Sequence, residues 1–155
     1  MPIQSKGAGT RYLKKFLKDL KKNHLEVGWF EGANYDDGIP VAYVASIHEY
    51  GYEPKNIPPR SFMLPAQMKN GKEWVKLFGQ ITHDASYGKI TAVQGLDVIG
   101  GTATQDVKDA IKDIKEPDIE QATKDARAKK GYNTTDILIA SGTMFRTLNW
   151  VVYES

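Results

Sequence analysis

The chain has 155 residues, 41% hydrophobic and 26% charged, with a formal net charge of +2, proportions that describe one ordinary globular domain and exclude disordered, fibrous and collagen-like classes. The absence of cysteine removes thiol catalysis, zinc ribbons, iron–sulfur clusters and disulfide frameworks together. No apolar stretch approaches the roughly 20 residues that span a bilayer, and the opening Met1-Pro2-Ile3-Gln4 lacks the apolar run of a signal peptide, so a soluble protein made in the cytoplasm, with no membrane partner, is expected.

The first 23 residues carry seven basic side chains against the single acid Asp19, a balance of +6. Thr10 reads as an N-cap, and Tyr12, Leu13, Phe16, Leu17 and Leu20 recur at helical spacing with the lysines on the other face. A basic amphipathic N-terminal helix over 10–23 follows. From His24 to Glu53 the sign reverses, with six acids and no Lys or Arg, a balance of −6. Segregation of this kind suits a nucleic-acid face, two faces that meet between subunits, or simply a solvated helix beside a solvated loop.

Residues 24–32 alternate Leu25, Val27 and Trp29 with Glu26 and Glu31, which predicts a strand closed by Gly32. Pro40 then suits the first turn of a helix over 40–50 that Gly51 ends. That helix places Val41, Val44, Ala45 and His48 on one face and Tyr43, Ile47 and Tyr50 on another, so it should be covered on more than one side. Pro54, Pro58 and Pro59 argue against regular structure from Tyr52 to Arg60. Past Pro65 a third helix carries Trp74, Val75, Leu77, Phe78 and Ile81. Residues 87–115 fit helical spacing with a break at Gly100-Gly101. Pro117 ends that helix, Ile119 to Ala128 suits a short helical piece, Ser141-Gly142 a turn or N-cap, and 148–153 a closing strand. Pairing of strands near 25–31 and 148–153 predicts an α+β fold, with a small mixed or antiparallel sheet packed with several helices. The whole of 1–155 reads as a single domain, a basic helix over 1–23 leading a core over 24–155.

Chemistry is marked by absences. His24, His48 and His83 are far apart, and His48-Glu49 begins like a metalloprotease helix but meets Tyr52 where the second histidine belongs. Gly100-Gly101-Thr102 lacks the lysine of a phosphate loop, and Ser141-Gly142 lacks the Gly-x-Ser-x-Gly setting of a nucleophile elbow. No catalytic set, metal or cofactor is expected, and the protein reads as a non-enzyme.

Several segments, in order, do form a pattern. Val27-Gly28-Trp29-Phe30, the run Pro40 to Gly51, Ile57 to Ala66, Ala126 to Gly131, Leu138 to Met144 and the final Val151-Val152-Tyr153-Glu154 resemble the tail-completion proteins of tailed double-stranded DNA phages, also called minor tail, neck or virion morphogenesis proteins. The resemblance covers roughly 24–155, with departures at Ala140, around 52–56 and at Gly100-Gly101. It implies a structural virion protein, assembled in the host cytoplasm, that forms a ring at the head–tail junction or tail end. Its partners would be copies of itself, neighbouring neck and tail proteins, and genomic DNA passing through. A small basic nucleic-acid-binding regulator is the alternative.

A ring needs two different, complementary faces on each subunit. The candidate interface residues are Tyr43, Ile47 and Tyr50 of the doubly apolar helix, Lys14, Lys18 and Lys21 of the basic one, and Arg60 with Phe62. The last two follow two prolines that would display them rigidly as an interface anchor; equally, Phe62 and Leu64 would cap a local core while Arg60 pairs with an acid. A strongly basic lumen would hold DNA that must slide, which favours an outer or inter-subunit position for the lysines over a channel lining.

Overall fold

The computed structural model describes residues 6–154; Met1-Pro2-Ile3-Gln4 lies outside them. Along these residues run α1 (Lys6–Leu20), β1 (Asn23–Gly28), α2 (Val41–Tyr50), α3 (Met63–Ser86), α4 (Ala92–Asp113), α5 (Gln121–Lys129), α6 (Thr143–Thr147) and β2 (Asn149–Glu154). Strands β1 and β2 pair antiparallel, as the α+β reading expected. No helix among the described residues is long and apolar enough to cross a membrane. The fold comprises two compact units: residues up to 27 with 70–103 and from 150 onward form unit 1, and 28–69 with 104–149 form unit 2.

Unit 1 is centred on Phe16, Ile81, Ala85 and Ala92, with Leu20, Leu77, Ile90 and Ile99 packed around them. Helix α1 begins at Lys6, so Thr10 is inside it and not its N-cap. The extra turn runs through Gly7 and Gly9, residues that cost a helix about 1 kcal/mol each; Gly9 lies close enough to α3 that a Cβ there would stand 3.4 Å from the Ser86 carbonyl oxygen. Packing overrides propensity here. Of the expected apolar stripe, Phe16 is buried while Tyr12 and Leu17 stay exposed. On α3, Ile81 faces the core but Val75 is exposed, against expectation.

Helix α4 is continuous through Gly100-Gly101, where a break was expected. Gly100 serves a close approach. A Cβ at Gly100 would stand 2.3 Å from Cδ1 of Trp150 and 2.8 Å from Cδ1 of Leu25, distances no real side chain tolerates. The strand residues Leu25 and Trp150 thus lie directly on the backbone of α4, and the Trp150 indole donates to Asp97 of the same helix at 2.7 Å.

Unit 2 buries Val41, Ala45, Phe62, Ala66, Val107, Ile111, Ile137, Leu138, Met144 and Leu148. Strand β1 stops at Gly28 and does not reach Trp29 or 31. Trp29 instead donates its indole N–H to the Met144 carbonyl at 2.8 Å and meets the Phe62 ring edge-on at 5.7 Å. Pro40 is the N-cap of α2, one position ahead of the helix, and Gly51 ends it at φ +78°. Any Cβ at Gly51 would be strained in that left-handed region and would press on Ile57 and Pro59 at 3.0 Å.

The proline-rich stretch after α2 is more ordered than expected. Tyr52 and Ile57 exchange two backbone hydrogen bonds around a 3₁₀ turn at Glu53–Lys55. Pro54 sits at the start of that turn, where no N–H donor is needed, and Asn56 closes it at φ 53°. Helix α3 likewise starts at Met63 and takes Pro65 into its first turn.

Candidate interaction surfaces

The polar centre of unit 2 is built where α2 meets the proline loop. Glu49, near the end of α2, accepts from the Ser61 hydroxyl at 2.6 Å and from the backbone amides of Phe62, Met63 and Leu64 at 2.8, 3.0 and 3.3 Å. A carboxylate thus satisfies the donors that open α3, where the helix dipole also favours a negative charge. Burial raises the Glu49 pKa, but these four bonds outweigh it and hold the group below its ordinary value.

Arg60 is buried, and so is Phe62 at 1% exposure. The Arg60 amide donates to the His48 carbonyl at 2.6 Å, and its guanidinium donates to the carbonyls of Pro117 and Asp118 at 2.6 and 2.9 Å. The expected outward display of this pair is therefore corrected: the two side chains knit the loop into its own unit. The other expectation is met only in part, since Leu64 is 56% exposed and Arg60 binds carbonyls of the chain rather than a carboxylate.

Arg127 of α5, which the sequence placed only in a short helical piece and in the 126–131 segment, does comparable work. Its guanidinium donates to the carbonyls of Asp136 and Ile137 at 2.9 and 2.6 Å and so pins the segment that leads into α6. Burial lowers both guanidinium pKa values, and Arg60 lowers Arg127 further. Both remain charged.

His48 faces these two cations. Burial first, then Arg60 and Arg127, push its pKa from 6.5 down to about 4; its Nδ1 is buried with no hydrogen-bond partner. The folded chain holds this imidazole neutral while the unfolded chain protonates it near pH 6.5. The unfolded state therefore binds more protons between those values, and stability falls as pH drops through the window. The shift corresponds to about 3 kcal/mol. Urea unfolding midpoints should fall between pH 6.5 and about 4, and His48→Leu should flatten that part of the curve.

Beside His48 and Arg127 lies a cavity of about 260 Å³, walled by Val44, Leu138 and the turn from Ser141 to Met144. It falls just below the usual range for small-molecule sites, about 300–1,000 Å³. Among the described residues, no three His, Cys, Asp or Glu side chains converge as metal ligands.

Two of the predicted surfaces remain open. On α2, Val41 and Ala45 are buried, but Tyr43 is 54% and Tyr50 81% exposed, with Ile47 half-buried between them. The chain does not cover its second apolar face, contrary to expectation. Exposed carboxylates stand at either end of this helix in sequence: Asp36 and Asp37 before it, Glu53 after it. In unit 1, Lys14, Lys18 and Lys21 are exposed along α1 and the turn that follows, with Leu17 among them. No family model, curated protein or solved structure matches the chain.

Proposed function

We propose that this protein is a structural virion component of a tailed double-stranded DNA phage, completing the head–tail junction or tail end as a ring of identical copies. It works by fit among copies and with neighbouring neck and tail proteins, and transforms no substrate. One observation carries the reading: four of the six segments that bear the resemblance are bonded to one another in unit 2. Glu49 of the 40–51 run holds the amides of Phe62 to Leu64 in the 57–66 run, the Arg60 amide binds the His48 carbonyl, and Trp29 binds the Met144 carbonyl. Such mutual bonding is what a common architecture for these segments would require.

Light scattering coupled to size-exclusion chromatography should show a defined oligomer at micromolar concentration, alone or with tail tubes. Particles lacking the protein should be full heads beside unattached or unfinished tails. A monomer under both conditions, or normal particles without the protein, would overturn the reading. The nucleic-acid regulator draws only on the lysines of α1; filter binding at low and high salt checks it, because phosphate contacts weaken steeply with salt.

A further inference from the structure

The two open surfaces match in shape of pattern as well as in sign. Tyr43, Ile47 and Tyr50 are spaced i, i+4 and i+7 and so form one stripe two turns long on α2. Leu17, 44% exposed, stands three positions after Lys14, beside Lys18, and four before Lys21. The Lys21 amide still bonds the Leu17 carbonyl, at 3.2 Å, so helical register reaches Lys21. Each apolar stretch thus has charged neighbours in the chain, acids before and after α2 and lysines along α1. Among the described residues, Lys14, Lys18 and Lys21 make no ion pair, and neither do Asp36 and Glu53.

We infer that α1 of one copy seats on the α2 stripe of a second copy, Leu17 against Tyr43 and Tyr50, with Lys14, Lys18 and Lys21 facing Asp36, Asp37 and Glu53. This names the junction within the ring reading and rests on that reading. Charge selects the geometry. Pairing either patch with its own copy would set acids on acids, or lysines on lysines, and like charges at close range repel. A head-to-tail contact sets opposite signs together, and repetition of one such contact builds a closed ring or an open filament. A nucleic acid would engage the lysines and leave Leu17 and the tyrosine stripe unused.

The junction is tested with two variants that each destroy one side of it: Lys14→Glu with Lys18→Glu, and Tyr43→Ala with Tyr50→Ala. All four side chains are exposed, so both variants should fold, which circular dichroism and thermal melting verify. Sedimentation velocity should show that wild type self-associates and that each variant alone does so at least about tenfold more weakly. An equimolar mixture should give a heterodimer that grows no further, because it contains one intact junction. A mixture that stays monomeric, or a variant that assembles like wild type, overturns the junction. An oligomer indifferent to both variants leaves the ring function standing, as does a chain that is monomeric alone yet gathers on tail tubes; both outcomes overturn this junction. A lysine variant that keeps its oligomer but loses retention of DNA assigns α1 to nucleic acid and overturns it as well.

Discussion

Phe62→Ala is expected to lower the stability of the protein by about 3–5 kcal/mol, the range for removing a fully buried aromatic ring. The ring is 1% exposed and stands edge-on to Trp29 at 5.7 Å, so truncation removes both the buried area and an aromatic pair. Trp29 is in turn tethered by its indole to Met144, which restrains it from collapsing into the space left behind. Urea unfolding followed by tryptophan fluorescence measures the loss. Leu64→Ala, two residues on but 56% exposed, is the internal control and should change stability by no more than about 0.5 kcal/mol. Unchanged stability with lost assembly in Phe62→Ala would return that side chain to an interface.

Glu49→Ala should cost about 3 kcal/mol at neutral pH. Four donors lose a charged acceptor at once, and although water reaches some of them, each bond to a charged group is worth roughly 1.5–3 kcal/mol before that discount. The first turn of α3 then opens without a cap, which alone costs about 1 kcal/mol. Glu49→Gln keeps the shape but not the charge, and should lose less than half as much. The pH dependence has a definite sign. Because the folded carboxyl lies below its ordinary value of 4.5, its contribution is fully present above that pH and disappears as pH falls through the folded value. Stability curves of wild type and Glu49→Ala should therefore converge in acid; parallel curves would show that the carboxylate is not the source of the stabilisation.

Local signals were read correctly where the cause was local. Pro40 and Gly51 bound α2 closely because a fixed φ and a left-handed φ act on their own residue. The period-2 pattern around Val27 overran the strand through Trp29 to Gly32, because an indole bonded to a carbonyl 115 positions away leaves no trace in alternation. Gly100 was weighed as a weakness in a helix, while its reason is Trp150, 50 positions further on. The same holds for the interface residues. That α2 is apolar on two faces was legible; that Val41 and Ala45 face inward while Tyr43 and Tyr50 do not depends on which segments pack against it. Arg60 and Phe62 looked displayed because prolines precede them, and only the approach of Pro117 and Asp118 shows where the guanidinium goes. Nothing in the sequence pointed to the bonds that Glu49 and Arg127 make, since their partners are assembled by the fold.

The way β1 and β2 close unit 1 has a consequence for biosynthesis. Every residue of unit 2 has been made once translation reaches position 149, but the Gly100 and Leu25 contacts of unit 1 wait for Trp150. On the ribosome, β1 emerges more than 120 residues before its sheet partner β2, so it must linger without its final neighbour.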